Sequence, residues 1–210
     1  MPRGLARDHD AKRAALRKAA ARVFAAHGFD RASMAGLAGE AGVSKALLYH
    51  YWPAKEALLF DILDTHLGHL VEVAEAALEA GGARPLDVLV PAILDAYEDA
   101  DAEHRLQLES LSVLPPEHQA PLLAHQRALI RLMGEALRRE CPAACEVPDR
   151  LRALTMTAWG ILNWVYMWHR PGKGLSRAEY GDLAVRFIRG GLAANAEGPD
   201  CFAGSAATED

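Results

Sequence analysis

The sequence holds only three cysteines, Cys141, Cys145 and Cys201, and they make neither a paired C-x-x-C motif nor a disulfide framework. A stapled secreted domain and a cysteine-based structural zinc site are therefore not expected. Runs of alternating β-branched residues are also missing, which argues against a sheet-built core. The longest near-apolar stretch, 155–168, is too short to span a bilayer and carries Asn163, so no membrane association is expected. Residues 1–11 are polar and charged, without the apolar h-region of a secretory leader, so a reduced, cytoplasmic setting is expected. Glycine-rich phosphate loops and a Ser/His/Asp set are lacking too, so no enzyme is expected. The pairs His66–His69 and His118–His125 lie outside any recognisable metal motif, and Cys141 and Cys145 can equally be two inert thiols. Neither a metal nor a cofactor is called for.

What the chain does have is alanine, leucine and an uneven charge. Its 210 residues are 51% hydrophobic, ample for a core, and their helix-forming composition predicts an all-α protein. The net charge of −5 conceals two opposed halves. Residues 1–55 carry ten Lys and Arg against four acids, giving +6, and residues 56–210 carry 13 against 24, giving −11. A basic head on an acidic body suits one end that approaches phosphate.

The helical pattern can be followed along the chain. Leu16, Ala19, Ala20, Val23 and Phe24 share one face of a first helix over 10–27, closed by Gly28. Ser33 caps a second helix over 34–41, Gly42 makes a turn, and Ser44 caps a third over 45–51. That third helix is too short to persist alone, so Leu47 or Leu48 must anchor it. Pro53 precedes a fourth helix reaching Gly81-Gly82. Further helices are predicted over 85–100, 103–114, 122–139 and 149–169, with 141–148 as a loop. Ser176 and Glu179 form a capping box for the last helix, which ends near Gly190-Gly191 or slightly beyond. Residues 197–210 read as a frayed tail.

Two short helices about a glycine turn, with Ser44 and Lys45 opening the second, make a helix-turn-helix pattern. The stretch LRKAAARVFAAHGFDRASMAGLAGEAGVSKALLYHYWPAKEALL, 16–59, closely resembles the N-terminal domain of the TetR family of transcriptional regulators, most specifically at AGVSK…LYHY…KE, 41–56. The resemblance implies an all-α homodimer of about nine helices, dimerising through its last two. It places a three-helix DNA-binding domain at 8–55 and a ligand-binding and dimerisation domain at 56–196. Ser33 is then expected at the DNA backbone, with Ser44, Lys45 and Ala46 near base edges. Leu47 is a candidate for a thymine methyl, and Tyr49, His50 and Lys55 are expected at phosphates. Two positions depart from the family pattern: Trp52 replaces the usual Phe, and Ala54 replaces the capping residue before Lys55.

The segment NWVYMWHRPGKGLSRAEYGDLAVRFIRGGL, 163–192, resembles the end of TetR-family members that respond to acyl-CoA thioesters. On that resemblance Asn163, Trp164, Trp168 and Arg170 are candidate ligand contacts. The spacing of Trp159, Leu162, Val165 and Trp168 equally suits packing. The combined expectation is a regulator, most simply a repressor, released from a pseudo-palindromic operator by an acyl-CoA and controlling catabolism of that acid. The alternative is a multidrug-type sensor that binds flat cations on its aromatics and controls an efflux pump. Because the basic head supplies the phosphate contacts, operator affinity should drop steeply with salt. With six or more phosphate contacts, a fluorescence-anisotropy titration should show a loss of about 10³-fold or more between 50 and 200 mM salt.

Overall fold

The computed structural model describes residues 3–170 and 172–196, as ten α-helices and two 3₁₀ turns. They form two compact units, one of 3–69 and 99–125 and the other of 70–98 and 126–196, and the division falls inside two helices, Lys55–Ala80 and Pro116–Glu140. The expected tail, 197–210, lies outside the described residues.

In the first unit, α1 (Arg3–His27) precedes α2 (Met34–Glu40) and α3 (Lys45–Tyr51). The sequence pattern starts the first helix at residue 10, but the helix begins seven residues earlier, at Arg3. Leu16, Ala20, Ala21 and Phe24 of α1 are buried, as are Met34, Leu37 and Ala38 of α2. Gly28 ends α1 at φ +82° and Gly42 turns the chain between α2 and α3 at φ +65°, both in the left-handed region where a side chain strains the backbone. Leu48 rather than Leu47 anchors α3: it is 1% exposed, while Leu47 is only half-buried.

The start of α4 (Lys55–Ala80) buries Leu58, Leu59, Ile62, Leu63 and Leu67 in the same unit. Against α1 lies α6 (Asp101–Glu109), followed by a 3₁₀ turn at Leu111–Val113 instead of a helix running on to 114. Leu114 is extended because it precedes a proline, and Gln119 Nε2 donates to its carbonyl at 2.6 Å. The next helix, α7 (Pro116–Glu140), starts six residues ahead of the expected 122. Pro116 fits there because the first helical residue needs no N–H, whereas Pro121 forgoes one intrahelical bond.

In the second unit, α5 (Leu86–Ala96) packs on α10 (Arg177–Ala196), and Leu86, Leu89, Val90, Ile93 and Leu94 are buried. The sequence runs α5 to residue 100, but it stops at Ala96, and Asp99 takes a φ of 60°. Arg189 of α10 binds Asp87 at 2.8 Å and makes a short bond to Glu140, tying three helices together. The expected loop after α7 contains a 3₁₀ turn, Ala143–Cys145.

The helix expected over 149–169 is two: α8 (Pro148–Asn163) and α9 (Val165–Trp168). Trp164 sits between them at φ −89°, ψ −5°, where the chain shifts to three-residue bonding. The capping box before α10 is fully formed: Glu179 Oε2 accepts from Ser176 N at 2.8 Å, and Ser176 Oγ accepts from Glu179 N at 3.2 Å. The Ser176 N–H, and its hydroxyl, which also donates to Glu179 Oε2 at 2.8 Å, lower the pKa of Glu179.

Of the histidines paired in the sequence, His66, His118 and His125 have other partners. His66 and His104 rings meet edge to face at 6.0 Å, His118 stacks on Phe60 at 4.6 Å, and His125 lies 3.1 Å from Asp64. Burial, then the nearby His104 and His69, depress the His66 pKa to about 3.

Leu48→Ala should cost about 2–5 kcal/mol in urea unfolding, since Leu48 is buried and holds a marginal helix. His66 folds neutral and with a lowered pKa, so its contribution is fully present above the unfolded value near 6.5. It is lost as pH falls towards 3, because only the unfolded chain takes the proton. His66→Gln should therefore flatten the acid limb of a stability–pH curve measured between pH 6.5 and 4.

Candidate nucleic-acid interface

Caps and anchors decide which side chains of α2 and α3 face outward. Ser33 is extended, and its Oγ accepts from Gly36 N at 3.1 Å. Ser44 does the same for Leu47 N, also at 3.1 Å. Each hydroxyl thus uses a lone pair on its helix, which leaves the O–H proton able to donate to a phosphate oxygen. With Leu48 turned inward, Lys45, Ala46, Tyr49 and His50 share the exposed face of α3. Lys45 Nζ lies 5.6 Å from the centroid of the Tyr49 ring, a cation–π pair one turn apart. The structure therefore brings together Ser33, Ser44, Lys45, Ala46, Tyr49 and His50 as exposed groups, with Leu47 half-exposed beside them.

Lys55 is placed differently from a free phosphate contact. Its ammonium donates to the carbonyls of Phe29 at 3.2 Å, Asp30 at 3.3 Å and Ala32 at 3.5 Å, and sits 4.4 Å from the Phe29 ring centroid. It ties the α1–α2 connection to the start of α4, where Ala54 supplies no capping side chain.

Trp52 shows why the departure from Phe is accommodated. Its ring is 2% exposed, and Nε1 donates to Asp61 Oδ2 of α4 at 3.0 Å. Asp61 also binds Arg13 at 3.0 Å and Arg17 at 3.5 Å, both from α1. One carboxylate therefore joins α1, the end of α3 and α4. Sequence reasoning missed Asp61; the available signal was the buried indole's need for an acceptor. It also missed His9, whose ring lies 4.7 Å from Tyr51 and 6.2 Å from His50, bracing the end of α3 from the early turns of α1.

In the second unit the four candidate ligand contacts run from the end of α8, Asn163, through α9 to Arg170 just past it. Asn163 accepts from the Tyr97 hydroxyl at 2.8 Å, and burial raises the Tyr97 pKa. Trp164 is 59% and Trp168 50% exposed, the latter edge-on to Tyr180 at 5.0 Å. Arg170 turns its guanidinium back on the carbonyls of His169 at 2.9 Å and Met167 at 3.4 Å. Trp159, Leu162 and Val165 are buried and serve packing.

Residues 16–62 match the family described as bacterial regulatory proteins, tetR family. Residues 82–192 match the tetracyclin repressor-like C-terminal domain. The chain belongs to the TetR family. This TetR-family member is a DNA-binding transcriptional regulator with a helix-turn-helix, and its family consists of regulators rather than enzymes. Among curated relatives it is 30% identical over 162 residues to the HTH-type transcriptional regulator BetI of Agrobacterium fabrum, covering 75% of this chain and 76% of that protein. It is 27% identical over 192 residues to the HTH-type transcriptional activator FasR of Mycolicibacterium smegmatis, covering 90% and 87%.

Among solved structures, a TetR-family regulator from Bordetella parapertussis superposes with a TM-score of 0.79 at 29% identity, over 84% of this chain and 93% of that one. AibR, solved with isovaleryl coenzyme A and operator DNA, shares the fold at a TM-score of 0.72 and 22% identity, over 84% and 97%. Among the described residues no helix is long and apolar enough to cross a membrane.

The double role open to Lys55 separates it from Tyr49. Tyr49→Ala should weaken operator binding without lowering the unfolding temperature, because the ring is exposed. Lys55→Ala should lower both, with a stability loss of order 1–2 kcal/mol from three released carbonyls. Paired anisotropy and thermal-melt measurements check this, and unchanged DNA affinity in both variants would show that the reading of this face is wrong.

Proposed function

We propose that the chain is a homodimeric repressor whose operator complex is released by an acyl-CoA thioester, aromatic or fatty, and that it controls catabolism of the corresponding acid. The observation carrying the DNA-reading half is the exposed face of α3, held outward by buried Leu48 and Trp52. In this reading Ser44, Lys45, Ala46 and Leu47 meet base edges, while Ser33, Tyr49, His50 and Lys55 hold phosphates. Residues 8–55 are then the reader, and 56–196 sense ligand and dimerise.

The effector assignment rests on the surface around 163–170. Two half-exposed indoles beside Arg170 offer apolar area and a cation, the pairing an acyl chain with an anionic carrier requires. The isovaleryl coenzyme A bound by AibR supports the thioester class. Asn163, Trp164, Trp168 and Arg170 are its proposed contacts.

Dimerisation through α8 and α10 is supported by the apolar surface these helices leave uncovered. Met156, Leu183 and Phe187 are exposed, Phe187 by 69%. A small cleft of about 50 Å³ between the two helices is lined by Leu154, Ile161, Phe187 and Leu192. Pairing two copies would bury this strip and fix the spacing of two recognition helices at one DNA turn, about 34–36 Å. Ligand would act by favouring a dimer whose spacing no longer matches, with α4 as the lever.

Titrating a panel of free acids and their CoA esters into the protein–operator complex tests the effector. Release by the CoA esters alone is expected, and release only by free acids or by flat cationic drugs would sink the thioester claim. Phe187→Glu should yield a monomer in analytical ultracentrifugation and abolish tight operator binding.

A further inference from the structure

A cleft of about 330 Å³ lies between α7 and α8, away from the aromatic segment. Its walls come from one face of each helix, 130–138 on α7 and 148–155 on α8, joined by the corner that holds Cys145 and Glu146. The two helices meet at Gly134, where a Cβ would stand 3.4 Å from Thr155 Oγ1. The cleft's apolar lining includes buried Leu151 and exposed Ile130.

The charge of this cleft is the observation that asks for a ligand. Arg131, Arg138 and Arg152 line it against the single carboxylate of Glu146, a local balance of +2. Residues 56–210 as a whole carry −11, so three guanidinium groups around one cavity run against the charge of their surroundings. Arg138 makes only a long contact, 3.7 Å, to Glu135, and Arg131 and Arg152 show no ion pair among the described residues. Thr155 already donates its hydroxyl proton to the Leu151 carbonyl at 2.8 Å, so an anion here must be held by the arginines.

We propose that this cleft binds a phosphate-bearing small molecule with a flat ring, of the size and chemistry of an adenosine phosphate. Guanidinium forks match phosphate oxygens two bonds at a time, and a ring laid on Leu151 and Ile130 dries the apolar lining. A compact polycarboxylate matches the charge but leaves that lining wet. The same adenosine phosphate chemistry is found in a free nucleotide and in the nucleotide half of coenzyme A. The cleft does not depend on the effector assigned above, since its lining residues include none of 163–170.

Isothermal titration of the full chain with ADP, adenosine 3′,5′-bisphosphate, coenzyme A and citrate tests the assignment. Binding of one or more adenosine phosphates, weakened at least about tenfold in Arg131→Ala/Arg152→Ala and kept in Lys45→Ala, is expected. The Lys45 variant matters because the basic head is a competing anion site. A preference for coenzyme A over ADP identifies the carrier as the source, and comparable affinities identify a free nucleotide. Citrate binding without adenosine phosphate binding, no binding by any probe, or affinity unchanged in the arginine variant each overturns the proposal. Should the double variant lose its helical circular dichroism, Arg131→Gln and Arg152→Gln taken singly give the same readout.

Discussion

A helix of seven residues has barely enough hydrogen bonds to pay for its own nucleation, and α3 is such a helix. Its persistence depends on groups outside its exposed face. Ser44 satisfies an orphan amide at one end, Leu48 buries the middle, and Trp52 fastens the other end to Asp61. Removing any of these fasteners loosens the surface formed by Lys45, Ala46, Tyr49 and His50, although Leu48 and Trp52 are buried and do not belong to that surface. The buried residues aim the helix, and its exposed face is the proposed reading surface.

Asp61 also alters how the basic head should be counted. Arg13 and Arg17 contribute to the +6 of residues 1–55, yet both are partly committed to this carboxylate, which itself lies beyond residue 55. Charge read from sequence overstates what such a head can offer to phosphates. The opposite error holds for the acidic body, where an overall negative sum hides the arginine cleft between α7 and α8. In both cases the useful quantity is the local balance around a surface.

Features governed by near neighbours were legible in the sequence. The bounds of α3, the caps Ser33 and Ser44, the turn at Gly42 and the Ser176–Glu179 box all follow from residues within four positions of one another. The family and its all-α fold were legible for the same reason, because the helix-turn-helix signature is contiguous. Features governed by distant partners were not. Periodicity across 149–169 is unbroken, and it hides the interruption at Trp164, next to the Asn163 that Tyr97 engages from 66 residues away. The indole of Trp52 could be seen to need an acceptor, but the choice of Asp61 depends on how α4 lies against α3. Lys55 was assigned a phosphate by resemblance, and its three carbonyl partners, 23 to 26 residues earlier, left no local trace.

Those three carbonyls give the start of α4 an unusual chemistry. An ammonium has three protons, and here each faces a backbone oxygen of the α1–α2 connection. Any phosphate that recruits Lys55 must displace at least one of them, so contact at this point is an exchange rather than an addition. The connecting segment behaves as an internal competitor, always present at the same effective concentration. In the proposed operator complex it would set a threshold that a weak or poorly aligned phosphate does not cross, filtering encounters by geometry.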